Sequence, residues 1–295
     1  MSISINDIRD DRYSGSFEIS QNALQFLRDF ISKSSAKNKN KLVDETNNLG
    51  KEIIKSQPNM VSIRKKISII VYHMKRLLKT DKTIEEIKQA SLNKIDEVLQ
   101  NAETKRKEIG KIGAKLIFNN NKILTISSSS LVKEIFNSAH RLNRKFTVYC
   151  LESRPQNEGH LLARELSSNG IPCVLATDAM MGQVVREVNM VISGADRIYE
   201  SGFVNKTGSL PLALTAHNFG VPFYVTSETD KILKEIDRSL RFYQQDPEDI
   251  ITKRNSMLSV SNLYFESVEF DYVSKIICED GVFDINEFKT WYLED

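Results

Sequence analysis

The stretch Lys122–Phe136, KILTISSSSLVKEIF, runs from an alternating apolar segment through four consecutive serines into helix-like spacing at Leu131, Val132, Ile135 and Phe136. An apolar run of this length bounded by polar residues predicts a strand, and apolar residues at three- and four-residue steps predict a helix. The same alternation continues downstream. The β-prone runs FTVYCLES, PCVLAT, MVISGAD and PFYVTS are separated by the helical segments LVKEIFNSAHRL, EGHLLARELSSNG, AMMGQVVREV and LPLALTAHNFG. Strands alternating with helices imply a parallel sheet covered on both faces, so the fold class is α/β and doubly wound. Gly170-Ile171-Pro172 and Gly220-Val221-Pro222 repeat one device, a glycine that stops a helix and a proline that opens the next strand.

Upstream of this region the texture is different. Residues 1–116 read as a helical N-terminal domain and 117–295 as a separate sheet domain. In TIEEIKQASLNKIDEVLQNAETKRKEIGKIGAKLIF, the apolar residues Ile84, Ile87, Ile95, Val98, Leu99 and Ala102 mark one buried helical face. Thr83 with Glu86 three places on predicts a capping box and therefore a helix start near Thr83. SKSSAKNKNK, residues 32–41, reads as an exposed connection.

Composition narrows the function class. The 41 basic and 39 acidic side chains nearly cancel, which argues against a nucleic-acid footprint. Lys105-Arg106-Lys107 reads as a solvated helix face. The cysteines Cys150, Cys173 and Cys278 are odd in number and lack metal-ligand spacing, which predicts neither disulfides nor a metal site and fits a reducing cytoplasm. The opening MSISINDIRD carries no signal pattern, and no apolar run is long enough to cross a bilayer.

Each apolar run of the sheet domain ends in polar residues: Ser127–Ser130, Glu152-Ser153-Arg154, Thr177-Asp178, Asp196, and Ser227-Glu228. In an open parallel sheet these carboxyl ends share one edge, where ligands bind. Serines at a strand-to-helix turn lie beside the unpaired N–H groups of the helix's first turn, a place that favours an anion. Neither GxxxxGK[ST] nor GxGxxG follows the first strand, so a small phosphorylated ligand fits better than a nucleoside triphosphate or a dinucleotide. Arg154 and Lys206 add cations.

LESRPQNEG, TDAMMGQVVREVNMVISGADRI, ESGFVNKTGSLPLALTAHNFGVPFYV and FESVEFDYVSKIICEDGVF resemble the alpha, beta and delta subunits of translation initiation factor 2B. The same blocks resemble two isomerases related to those subunits, of ribose 1,5-bisphosphate and of methylthioribose 1-phosphate. RYSGSFEISQNALQFL resembles the family's phosphate-binding turn. The resemblance implies a helical N-terminal domain beside a Rossmann-like C-terminal domain, a homodimer, and initiation factor subunits as partners. It implies no cofactor. It places Arg12, Gly15, Ser128, Ser129, Ser130, Arg154, Asn205 and Lys206 where the isomerases hold substrate, and Asp196 on their catalytic aspartate.

One departure bears on activity. The isomerases carry a cysteine after the first strand of this domain, where this chain has Ser127. Moving a proton between neighbouring carbons of a sugar phosphate needs an acid–base pair, and a hydroxyl without an activating base is a poor substitute for a thiol. None of His73, His140, His160 and His217 stands out as that base. The resulting expectation is a regulatory subunit that binds a phosphorylated sugar or nucleotide without turning it over. The alternatives are an aldose–ketose isomerase using Asp196, and an assembly protein with a vestigial pocket. Arg154→Ala and Lys206→Ala are both expected to weaken binding while leaving the fold intact.

Overall fold

The computed structural model describes residues 3–11, 14–58, 60–233, 242–253 and 255–294. It divides into two compact units, Met1–Lys105 and Arg106–Asp295. The first unit is helical, with α1 (Ile5–Asp10), α2 (Ser16–Lys33), α3 (Lys39–Ser56), α4 (Val61–Leu77) and most of α5 (Ile84–Ala114). Its core joins Leu24, Leu27 and Ile31 of α2 to Leu42 and Ile53 of α3, and to Ile63, Ile67, Ile70 and Met74 of α4. Ile87 and Ile95 of α5 complete it, and Ile84, Val98 and Leu99 pack against it. The α5 helix starts where the sequence predicts: Thr83 Oγ1 accepts from the Glu86 N–H, and Glu86 Oε2 accepts from the Thr83 N–H at 2.7 Å. The connection between α2 and α3 is shorter than the polar stretch that marks it, because Asn38 caps α3 through the Lys41 N–H.

The second unit follows the alternation of the sequence. Its elements are β1 (Lys122–Thr125), α6 (Ser130–Arg141), β2 (Thr147–Leu151), α7 (Glu158–Ser168), β3 (Cys173–Ala176), α8 (Met181–Val184), β4 (Met190–Gly194), β5 (Arg197–Tyr199), β6 (Gly202–Lys206), α9 (Ser209–Asn218), β7 (Phe223–Thr226), β8 (Phe265–Glu269), β9 (Lys275–Cys278), β10 (Gly281–Asp284) and α10 (Ile285–Glu294). Seven strands form one sheet in the order β10-β9-β7-β4-β1-β2-β3, parallel except for the edge pair β9–β10. Neighbouring residues of the central strands feed opposite cores. Ile123, Val148 and Ile192 face the layer built from the end of α5, α6 and α7, whereas Leu124, Leu151 and Val191 face the layer of α8, α9 and α10. Burial on both faces is why these strands read as continuous apolar runs. Both predicted helix stops are left-handed, with φ of 83° at Gly170 and 66° at Gly220.

Two features depart from the simple alternation. β5, β6 and β8 form a separate three-stranded antiparallel sheet. The segment AMMGQVVREV holds only the four-residue α8, flanked by tighter turns over Asp178–Met180 and Val185–Glu187. Its apolar spacing is real, since Met181, Val184, Val185 and Val188 are buried. Among the described residues, no helix is long and apolar enough to cross a membrane.

Candidate ligand site at the strand ends

Strand order reverses at β1, which lies between β2 and β4. Such a switch point opens a crevice at the carboxyl ends of the two strands that diverge. The serine stretch follows β1 and Ala195-Asp196 follows β4, so both lie at this place. Their closeness is tight: a Cβ added to Gly194 would stand 2.7 Å from Ser129 Oγ. Ser129 is the N-cap of α6, and its hydroxyl accepts from the Val132 N–H at 3.5 Å. Ser130 begins the helix and is buried. Ser127 is held in the left-handed region, φ 63°, with its N–H donating to Ser153 Oγ at 2.7 Å. Ser153 is also left-handed, φ 65°, and its own hydroxyl donates to the Leu151 carbonyl at 3.0 Å. Two strained serines thus brace the turns after β1 and β2 against each other.

The remaining groups arrive from three sides. The backbone N–H groups of Ser153 and Arg154 both donate to the Asp178 carboxylate, at 2.9 and 2.7 Å. The Arg154 side chain is exposed and has no ion-pair partner among the described residues. Lys206, at the end of β6, is 4% exposed. Its ammonium donates to Glu158 Oε1 at 2.8 Å and sits over the Tyr264 ring, 4.6 Å from the centroid. Burial pushes the Glu158 carboxyl above the ordinary carboxylate range, with Lys206 opposing that shift. The second oxygen of Glu158, Oε2, is buried without a hydrogen-bond partner. Lys206→Ala would therefore leave a buried carboxylate with no counter-ion. The expectation that this variant spares the fold is replaced by one of substantial destabilisation.

Asn205 is buried beside it, and its amide donates to Ser193 Oγ and Ser209 Oγ, tying β6 to β4 and to the start of α9. The N-terminus of α9 already holds an anion: Glu266 Oε1 accepts from the N–H groups of Gly208 and Leu210 at 2.6 and 2.8 Å. The chain's own carboxylates thus occupy two donor clusters, Asp178 on the Ser153–Arg154 turn and Glu266 on α9. Asp196 follows β4, with its N–H donating to the Val204 carbonyl. In the first unit, Gly15 is the N-cap of α2, and Arg12 lies outside the described residues.

The profile of the Initiation factor 2 subunit family matches residues 12–285. The chain belongs to that family. It is 35% identical over 245 residues to a translation initiation factor eIF-2B subunit 2-like protein of Pyrococcus horikoshii, an alignment covering 82% of each. It is 26% identical over 291 residues to ribose 1,5-bisphosphate isomerase of Methanocaldococcus jannaschii, covering 97% of this chain and 91% of that one. Among solved structures, the translation initiation factor eIF-2B of Pyrococcus horikoshii superposes with a TM-score of 0.80 at 29% identity, covering 94% of each chain.

For a chain of this family, the location of the thiols bears on isomerase chemistry. Cys150 lies buried inside β2, Cys173 at the start of β3 and Cys278 at the end of β9. Burial pushes the Cys278 thiol up to about 11. The Cys150 thiol is also raised, first by its hydrogen bond with Cys173 and then by burial. None of the three stands on the turn between β1 and α6. Sequence reasoning did not single out Glu158, Lys231 or Tyr264. Glu158 showed one usable signal, an acid in the first turn of a predicted helix, but its partner lies 48 residues away. Lys231 is buried and donates to the Ala195 carbonyl at 3.0 Å, next to Asp196.

Proposed function

We propose that this chain is an initiation factor 2B-like regulatory subunit that binds a phosphorylated sugar or nucleotide at the switch point without isomerising it. The observation that carries the reading is the β1–α6 turn, where Ser127 stands, its N–H engaged by Ser153, and no thiol stands. A serine hydroxyl there can hold a phosphate oxygen but cannot readily exchange a proton near neutral pH. In this reading Ser128, Ser129 and Ser130 face the ligand at the start of α6, Arg154 supplies a mobile cation, and Asp196 orders sugar hydroxyls. Lys206 supplies a fixed cation, and Asn205 holds the strand that carries it. The second reading, an aldose–ketose isomerase using Asp196, is favoured by the similarity to ribose 1,5-bisphosphate isomerase along nearly the whole chain.

The site is assigned to the domain 117–295, and the protein to the cytoplasm, where its three free thiols are compatible with a reducing environment. A homodimer through this domain is supported by Val174 and Leu175 on the edge strand β3 and by Met180 just after it, which are 40%, 45% and 45% exposed. Light scattering showing a monomer at micromolar concentration would refute the dimer. The deciding assay incubates the protein with α-ribose 1,5-bisphosphate and follows ketose formation by NMR beside a binding titration. The expected result is saturable binding without turnover. Binding should weaken in Arg154→Ala by about 1.5–3 kcal/mol, the value of a charge-assisted contact. Turnover that disappears in Asp196→Asn would instead establish the isomerase.

A further inference from the structure

Lys206 is the most deeply buried cation proposed for ligand binding, yet it is already neutralised. Glu158 holds its ammonium at 2.8 Å, with side-chain exposures of 5% for Lys206 and 11% for Glu158. A phosphate approaching this ammonium meets a carboxylate of the same sign, in surroundings that screen charge poorly. We infer that Glu158 makes anion binding at Lys206 proton-coupled: a phosphate-bearing ligand engages the ammonium as Glu158 takes up one proton. This rests on the reading that the ligand brings a phosphate to this cluster.

The surroundings support protonation over displacement of the side chain. Glu158 opens α7, whose next residue Gly159 donates its N–H to the Glu152 carbonyl just after β2, and the Glu158 Oε2 is buried without a partner. A proton on that oxygen turns an orphaned acceptor into a donor directed at the incoming oxyanion. The other charged groups around it are few. From the segment after β3, Asp178 adds negative charge and favours the protonated form. From the segment before β8, the Tyr264 ring lies under the ammonium, with its hydroxyl donating to Asp249 at 2.7 Å and accepting from Gln156. From the turn after β2, Arg154 is exposed, and Glu152 lies 3.9 Å from His160 of α7. Burial favours the same protonated state, so the carboxyl is poised to titrate above the usual carboxylate range.

Protonation links affinity to pH with a defined sign. Below the carboxyl's own value Glu158 is already neutral and binding is pH-independent. Above it, each pH unit lowers affinity about tenfold until the complex itself deprotonates. The experiment titrates ribose 5-phosphate into wild type and Glu158→Gln by calorimetry, in two buffers of different ionisation enthalpy and across pH 5–8. The ligand's own titration is common to both proteins and cancels in the difference. The expected result is close to one more proton taken up by wild type, and affinity in Glu158→Gln that no longer falls with pH. Saturable binding with equal proton counts overturns the coupling while leaving the phosphate reading standing. No saturable binding in either protein overturns the phosphate reading and the coupling together. If Glu158→Gln does not fold, the wild-type proton count decides alone, and no uptake beyond the ligand's own titration overturns the coupling.

Discussion

Gly159→Ala is a one-carbon perturbation whose effect can be worked from backbone alone. Gly159 is the second residue of α7, and its N–H donates to the Glu152 carbonyl at 3.2 Å. A Cβ there would lie 1.8 Å from the Leu151 carbonyl oxygen and 2.8 Å from its carbon. Both are main-chain atoms at the end of β2, so no rotamer change relieves the clash. Restoring ordinary contact requires the first turn of α7 to withdraw by roughly 1.5 Å, which breaks the Gly159–Glu152 hydrogen bond. Overpacking costs about 1–3 kcal/mol and the lost bond about 1 kcal/mol more. The better helix propensity of alanine returns about 1 kcal/mol. The net is a destabilisation of about 1–3 kcal/mol, or a Tm lower by roughly 2–12 °C for a unit of this size. Gly182→Ala is the control, because a Cβ there meets nothing within 4 Å and the residue is helical in α8. That variant should melt at or slightly above wild type. Scanning calorimetry of the two variants at pH 7 tests the reasoning. A Gly159→Ala midpoint indistinguishable from wild type, or an equal fall in both variants, would refute it.

Further outcomes follow from other parts of the chain. Thr83→Ala removes the N-cap of α5 and should cost about 1 kcal/mol in denaturant titrations of the protein. The two hydrogen bonds from Thr83 hold the Glu86 carboxyl below its ordinary value of 4.5. Its contribution is therefore present above pH 4.5 and lost as pH falls through the depressed value, so the gap between Thr83→Ala and wild type should narrow in acid. Among the cysteines, Cys173 is half-buried and its thiol is lowered by the hydrogen bond from Cys150. Iodoacetamide followed by peptide mass spectrometry should modify Cys173 well before Cys150 or Cys278. Equal labelling of all three would contradict the burial described.

Of the five strands legible in the sequence, β1, β2, β4 and β7 are largely buried on both faces, whereas the edge strand β3 leaves Val174 and Leu175 exposed and was legible from its apolar run alone. Ile123 and Leu124 of β1 feed opposite cores, and such strands write themselves as unbroken apolar runs. Strands β5, β6 and β8 escaped because their sequences, RIY, GFVNK and FESVE, mix charged and polar residues with apolar ones and give no continuous apolar run. In Gly202–Lys206 the residues Asn205 and Lys206 read as ligand contacts, and nothing local shows that a strand delivers them. The site was legible to the same depth. Ser127–Ser130 and Asp196 could be placed at one edge from element order alone. The Glu158–Lys206 pair could not, because neither residue carries a local mark of the other. The occupation of α9 by Glu266 was hidden for the same reason, with 58 residues separating Glu266 from Gly208.

The left-handed turn at Ser127 also sets which residues mutation can place there. A branched Cβ is badly accommodated at φ 63°, so threonine and valine are disfavoured, whereas serine and cysteine differ by one atom and load the backbone alike. The genetic code joins those two residues by a single base change. A lineage with this turn can therefore pass between hydroxyl and thiol in one step without rebuilding its scaffold. Enzymes and non-enzymes could then diverge on an unchanged backbone, and at this position descent is a poor guide to chemistry.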